Sequence, residues 1–129
     1  MAARSLALTF LGATSTITGA RYLLDTGHAR VLVDCGLYQG FKQLRLRNRV
    51  PFAVPLLPGP DGAAPPLGDT PPIDAVVLQH AHLDHSGWLP ALVKHGFRGP
   101  IHASPATCAL ARVLLLDSAH LQEEDARRA

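Results

Sequence analysis

Large apolar residues alternate with other residues at the start of the chain. In the stretch LALTF they occupy positions 6, 8 and 10, and two further short apolar runs, 22–25 and 30–34, flank the sequence TGHA. A period of two is typical of a strand with one face in the core, and Gly27 permits a tight turn between the two later runs. The pattern predicts an opening strand followed by a hairpin.

A continuous apolar run appears later, in the sequence IDAVVLQH. Residues 75–78 of this run predict a strand that is buried on both faces. The next segment, SGWLPALVKHG, is typical of a short helix. Ser86 is placed to cap this helix, Pro90 is tolerated in its first turn, and Gly96 is expected to end it.

The last part of the chain predicts another strand and a longer helix. The segment GPIHAS is typical of a short strand. Ser104 and the proline after it are placed to begin a helix that presents Leu110, Val113 and Leu114 on one face. Opening strands that are followed by strand, helix, strand and helix predict a layered α/β fold.

A segment rich in proline and glycine separates the two halves of this pattern. Residues 51–72 contain eight prolines in 22 positions, so neither a helix nor a central strand is expected there. A tolerated insertion is the simpler interpretation of this long loop, and a functional loop is the alternative. Just before it, KQLRLRNR carries four basic residues. A solvated face is expected there, with a phosphate-contacting edge as the alternative.

Length and composition limit the class of protein. A chain of 129 residues fits one domain or part of one, and its net charge of +2 gives no argument for nucleic-acid binding from overall charge. The apolar stretches are all shorter than the ~18 residues that a membrane span requires, so no membrane association is expected. Cys35 and Cys108 lie far apart and are expected to be buried thiols in a reduced compartment. We therefore expect a cytoplasmic protein.

Three histidines and an aspartate stand close together in QHAHLDHSG, residues 79–87. His80 and His82 are two residues apart, so on an extended chain they project to the same side, and Asp84 continues that face. His85 is expected where the strand becomes a helix, from which it can turn back. The spacing predicts two adjacent metal sites, His80 with His82 and Asp84 with His85. Such ligands suit zinc first, with manganese or iron as alternatives.

The remaining histidines are isolated in the sequence. A lone histidine is usually a surface residue or a core residue with a satisfied hydrogen bond. We expect these ordinary roles for the following four: His28, His95, His102 and His120.

The HxHxDH pattern resembles the signature of the metallo-β-lactamase superfamily. Three further blocks, FLGATSTITGARYLL, VLVDCGLYQG and LLLDSAHLQEED, resemble the beta-CASP branch of RNA-processing nucleases, which are related to the cleavage and polyadenylation specificity factor nuclease. The resemblance implies that residues 1–129 form the N-terminal portion of a metallo-β-lactamase domain, the first half of an αββα sandwich with a mixed sheet and covering helices. From the same resemblance we expect the second half of that domain and the beta-CASP domain to lie outside these residues.

The same resemblance implies a function. It indicates a metal-dependent hydrolase of phosphodiester bonds, namely an RNA endonuclease with exonuclease activity as a further option, using two zinc ions. Asp84 and Asp34 are the implied catalytic residues. Asp34 corresponds to a family carboxylate near the metals, where it would orient a ligating imidazole; capping a turn at Gly36 is the alternative. The acidic residues of the last block are assigned only to a helix surface: Asp117, Glu123, Glu124 and Asp125.

The implied partners are RNA and the missing C-terminal part of the same protein, with a homo-oligomer as a further option. The resemblance places the remaining metal ligands beyond residue 129, so the chain alone is expected to be inactive. Two alternatives stay open. One is a non-catalytic fragment or binding module with an incomplete metal half-site. The other is a different hydrolase of the same fold.

Overall fold

A mixed five-stranded sheet organises the part of the chain that the structure describes. The structure is a computed structural model, and it describes residues 6–13, 16–40, 42–49 and 73–128. The strands are β1 (Ala7–Phe10), β2 (Tyr22–Asp25), β3 (Arg30–Val33), β4 (Ala75–Val77) and β5 (Ile101–His102). They lie side by side in chain order, antiparallel from β1 to β3 and parallel from β3 to β5. This arrangement confirms the α/β class, the opening strand and the hairpin.

Four helices accompany the sheet in the described residues. They are α1 (Lys42–Leu46), α2 (Leu83–Ser86), α3 (Leu89–Lys94) and α4 (Pro105–Arg128), and a 3₁₀ turn, Arg47–Arg49, follows α1. The basic run KQLRLRNR forms α1 and this turn because it consists largely of good helix formers, and its basic side chains are exposed, as expected for a solvated face. The proline-rich loop 51–72 lies outside the described residues. In the part that is described, no helix is long and apolar enough to cross a membrane.

The core lies on one face of the sheet. Leu23, Leu32 and Val76 are in register on neighbouring strands and are buried against the side chains of Trp88 and Leu92. The prediction that residues 75–78 form a strand buried on both faces is wrong. Val76 is fully buried, but Val77 is 38% exposed because it points to the other face of the sheet.

Ser86 was predicted to cap α3, but it is the last residue of α2. Its hydroxyl donates hydrogen bonds to the carbonyls of Ala81 at 2.8 Å and His82 at 3.2 Å. The residue before α3 is Trp88, which makes no side-chain capping bond. The predictions for Pro90, in the first turn of α3, and for Gly96, at φ +115° just after the helix, are confirmed.

The long helix α4 begins as predicted, but the face that it buries differs from the predicted one. The hydroxyl of Ser104 accepts a hydrogen bond from the backbone N–H of Thr107, which caps the helix start. The predicted core face is wrong, since Leu110 and Val113 are exposed and Leu114 is only half-buried. The buried residues of this helix are instead Ala111 and Ser118. Helix α4 contacts α2.

The two cysteines differ in burial. Cys35 is buried, as predicted, and burial raises the pKa of its thiol to about 12, so it remains protonated at neutral pH. Cys108 is exposed, so the prediction of a buried thiol is wrong at that position. It lies on the first turns of α4, and its thiol contacts the carbonyl of Ala103.

The second face of the sheet is apolar and open to solvent. Leu8 and Phe10 on the edge strand are 53% and 61% exposed, and strand pairing places Phe10 on the same face as Val77. Apolar area left in water forgoes roughly 25 cal/mol per Å² of stabilisation. An apolar face of this kind favours association with another surface.

We therefore expect the 129-residue chain, expressed by itself, to self-associate through this face. Size-exclusion chromatography and binding of a dye specific for exposed apolar surface measure the effect. Leu8→Lys and Phe10→Lys should increase the monomer fraction and reduce dye binding. Ile17→Lys is the control, because Ile17 is 96% exposed in a loop and should change neither quantity. A monomeric chain without dye binding would contradict the expectation.

Candidate metal centre

The residues of the HxHxDH pattern lie just beyond the carboxyl end of β4. The strand ends at Val77, so His80 and His82 occupy the following loop, whereas Asp84 and His85 belong to α2. The strand therefore ends before the first two histidines, although His82 keeps an extended backbone conformation at φ −57° and ψ 149°. The chain turns earlier because the backbone N–H of His85 bonds to the carbonyl of His82, which begins a helical turn.

The turn nevertheless brings the three imidazole rings together. The ring centres of His80 and His82 are 4.9 Å apart and nearly perpendicular. Those of His80 and His85 are 3.7 Å apart. All three side chains thus converge at one edge of the sheet. His80 and His82 also line a cleft of about 260 Å³ against the first turns of α4, where Thr107 and Leu110 form the opposite wall.

Asp34 follows β3 and fixes the ring of His85. Its side chain is fully buried, with Oδ2 2.7 Å from Nδ1 of His85. Its Oδ1 accepts a hydrogen bond of 2.8 Å from the backbone N–H of Gln79. The structure does not show the alternative, in which Asp34 caps a turn at Gly36. The backbone N–H of Gly36 donates to the carbonyl of Ala20 instead. A carboxylate at Nδ1 keeps the proton on that nitrogen and leaves Nε2 as the free lone pair.

The free nitrogen of His85 faces the carboxylate of Asp84. Nε2 of His85 lies 3.4 Å from Oδ2 of Asp84. Two donors that each stand about 2.1 Å from a tetrahedrally coordinated ion are separated by about 3.4 Å. The donor types and their separation therefore fit two ligands of one metal ion.

His80 is not yet arranged as a metal ligand through Nε2. Its Nδ1 accepts a hydrogen bond of 3.3 Å from the backbone N–H of His82, which leaves the ring proton on Nε2. Metal binding through Nε2 requires the other tautomer and a new orientation of the ring. Across residues 6–13, 16–40, 42–49 and 73–128, no group of three or more His, Cys, Asp or Glu side chains is in place to hold an ion. The assignment of metal ligands to His80, His82, Asp84 and His85 stays a prediction.

Comparison with known proteins bears on this site directly. A family model described as the metallo-beta-lactamase superfamily matches residues 19–123, which include β2 to β5 and the whole HxHxDH segment. This match covers most of the chain. The chain belongs to the metallo-β-lactamase superfamily. The family resemblance stated from the HxHxDH pattern is confirmed, and membership supports a metal-dependent hydrolase at the level of the family.

Relatives of this metallo-β-lactamase domain include proteins with named roles. Ribonuclease TTHA0252 of Thermus thermophilus is 40% identical over 113 residues, which cover 88% of this chain and 22% of the relative. Transcription termination factor FttA of Cenarchaeum symbiosum is 38% identical over 119 residues, covering 92% of this chain and 17% of the relative. FttA of Methanosarcina mazei is 34% identical over 110 residues, which cover 85% of this chain and 15% of the relative. The chain thus spans less than a quarter of the length of each.

Backbone hydrogen bonds hold the metallo-β-lactamase motif against two neighbouring loops. Cys35 donates its N–H to the carbonyl of His85 at 2.7 Å, and Ala20 donates to the carbonyl of Asp84 at 3.0 Å. Gly36 stands directly against Asp84: a Cβ at Gly36 would lie 1.7 Å from the carbonyl oxygen of that residue. The apolar and polar pattern does not assign Gly36 to the site. The position of Gly36 after Asp34 in the sequence DCG is the signal that could have done so.

The other histidines take ordinary positions in the domain. The ring of His95 stacks on Trp88 with centres 5.8 Å apart, and His120 pairs with Glu124 on the exposed side of α4. His28 and His102 are exposed. These placements agree with the structural and surface roles predicted for them. The acidic residues assigned to a helix surface lie on α4, all exposed except the half-buried Glu124.

Proposed function

We propose that this chain is part of a metal-dependent RNA hydrolase of the beta-CASP type, an endonuclease that uses two zinc ions. The observation that carries the proposal is the pairing of His85 Nε2 with Asp84 Oδ2 at 3.4 Å, beside a buried Asp34 that fixes the opposite nitrogen of the same ring. Residues outside this sequence would supply the remaining ligands and the second half of the domain. A cytoplasmic location belongs to the proposal, supported by the two free cysteines.

Each residue has a separate task in this proposal. His80 and His82 would hold one ion, and Asp84 with His85 would hold the other. When bound, the metal would supply positive charge that offsets the charge of the attacked phosphodiester and lowers the pKa of water in the site. Asp34 would keep the proton of His85 on Nδ1, so that Nε2 remains a lone-pair donor. The cleft beside His80 and His82 offers space for a substrate group.

RNA is the proposed substrate because of the relatives and not because of the overall charge. One relative is named a ribonuclease, and others are named transcription termination factors. The net charge of +2 does not by itself favour nucleic acid. Local charge adds support, since the four basic residues of α1 and its 3₁₀ turn are all exposed: Lys42, Arg45, Arg47 and Arg49.

We expect the protein, as its gene encodes it, to cleave a labelled single-stranded RNA in a reaction that a chelator stops and zinc restores. His82→Ala and His85→Ala should reduce cleavage to background, because each removes a proposed ligand. His120→Ala is the matched control and should retain full activity, since His120 is an exposed helix residue paired with Glu124. Gel electrophoresis of the RNA products measures the reaction and distinguishes internal cleavage from removal of terminal nucleotides.

Three results would contradict the proposal. Chelator-insensitive cleavage, or cleavage that survives His82→Ala and His85→Ala together, would exclude these residues from the reaction. Zinc binding without RNA cleavage would favour the second candidate, a binding module whose metal half-site is completed by another polypeptide.

A further inference from the structure

Arg21 is a buried cation that the proposed reaction does not use. It precedes β2, is only 3% exposed, and donates a hydrogen bond of 3.1 Å from Nε to the carbonyl of Gly36. The Cζ atom of its guanidinium group lies over two aromatic rings, 5.0 Å from the centre of Tyr38 and 4.7 Å from the centre of Trp88. Burial lowers the pKa of the Arg21 guanidinium, and electrostatic interactions with Cys35 and Tyr38 offset part of this shift. A charge at such a depth is costly unless its surroundings are built to receive it.

The surroundings of Arg21 connect it to the candidate metal centre. Its hydrogen-bond partner Gly36 is packed against the backbone of Asp84. Its chain neighbour Ala20 accepts the N–H of Gly36 and donates its own N–H to Asp84. Its aromatic neighbour Trp88 donates its backbone N–H to Cys35, which in turn bonds to His85. Arg21 therefore contacts both the turn that carries Asp34 and the segment that follows the metal-binding residues.

We propose that Arg21 is a positioning residue for the metal centre. It holds the turn 34–36 against residues 84–85, so that Asp34 stays bonded to Nδ1 of His85 and Nε2 of His85 stays opposite Asp84. This inference rests on the proposed function, because it concerns the same four ligands. In this proposal Arg21 touches neither metal nor substrate and acts through the carbonyl of Gly36.

The chemistry of arginine suits this place. A planar guanidinium stacks on aromatic faces while its N–H groups remain available in the ring plane to bond a carbonyl. Lysine would keep the charge and one donor but not the planar stacking. Methionine would keep much of the stem volume but would leave the buried Gly36 carbonyl without this donor. A comparison of arginine, lysine and methionine at position 21 therefore distinguishes the effects of hydrogen bonding and ring stacking from the effect of side-chain volume.

The test compares Arg21→Met and Arg21→Lys in the protein as its gene encodes it. Cobalt(II) replaces zinc as the probe, because its visible absorption reports both binding and ligand geometry. Arg21→Met should lower cobalt affinity by about 10- to 100-fold, the range for partners that orient metal ligands, and should alter the absorption spectrum. Arg21→Lys should recover part of the loss. Arg30→Met is the control, because Arg30 lies on β3 and pairs with Asp25 at 3.1 Å, away from the centre.

Urea unfolding of the metal-free variants separates positioning from general stability. Arg21→Met protein that unfolds cooperatively but binds cobalt with unchanged affinity and spectrum would overturn the inference. If Arg21→Met does not fold, Arg21→Lys decides: a reduced affinity supports positioning, and an unchanged affinity and spectrum contradict it. Failure of the proposed function looks different, because the unmodified protein would then bind no cobalt, or would bind it equally well after His85→Ala. Either result would overturn this inference as well.

Discussion

Gly36→Ala is expected to abolish metal binding and to destabilise the domain by roughly 3 kcal/mol or more, the upper end of the range for overpacked cores. A Cβ at this position would lie 1.7 Å from the carbonyl oxygen and 2.3 Å from the carbonyl carbon of Asp84. These atoms belong to the backbone, so no rotamer change can relieve the contact. The helical turn that carries Asp84 and His85 must move away from Asp34. Urea unfolding and a zinc titration measure the two effects.

Gly40→Ala is the matched control for this substitution. Gly40 has φ +105°, so alanine there is strained, but the added Cβ meets no atom of the described residues within 4 Å. It should destabilise the protein by about 1 kcal/mol and leave zinc affinity unchanged. If Gly36→Ala behaved like Gly40→Ala, the packing of the turn against Asp84 would have no role in the centre.

Asp34→Asn is expected to lower metal affinity by about 100-fold or more while the domain remains folded. The side-chain oxygen of asparagine can still accept the N–H of Gln79, which directs the amide NH₂ group toward Nδ1 of His85. Nδ1 must then accept a hydrogen bond, so the ring proton moves to Nε2, the nitrogen that faces Asp84. This change of tautomer adds to the loss of about 10- to 100-fold that is usual when a partner of a metal ligand is removed. Competition with a chromogenic chelator measures the affinity.

Asp25→Asn provides the control for loss of a carboxylate charge. Asp25 lies on β2 and pairs with Arg30 at 3.1 Å, partly exposed, so its replacement should have a small effect on stability and none on metal affinity. Equal metal affinities for Asp34→Asn and the unmodified protein would show that His85 does not bind metal through Nε2.

The pattern of apolar residues predicted the strands well, because each of the first three is short and bounded by clear turn signals. It could not predict which face of the sheet is covered. Val77 continues an apolar run and yet is exposed, since burial depends on which layers are present and not on the strand itself. The same holds for α4, where the small residues Ala111 and Ser118 face the core and Val113 faces solvent.

The candidate site was predictable in composition but not in geometry. The clustering of His80, His82, Asp84 and His85 is visible in the sequence, and the resemblance to the family pointed to Asp34. The contact between Asp34 and His85 joins residues that are 51 positions apart. The spacing of residues along the sequence does not predict contacts over such a separation. Gly36 and Arg21 were missed because their roles arise from backbone packing and from aromatic stacking between distant segments. Such contacts appear only once the loops are folded against each other.

Anomalous X-ray diffraction at the zinc absorption edge, on crystals of the protein as its gene encodes it grown with zinc, tests the metal centre most directly. We expect an anomalous peak at about 2.0–2.2 Å from both Nε2 of His85 and the carboxylate of Asp84. A second peak should lie beside the rings of His80 and His82, about 3.5–4 Å from the first. Zinc bound elsewhere, with these four side chains free of metal, would contradict the assignment.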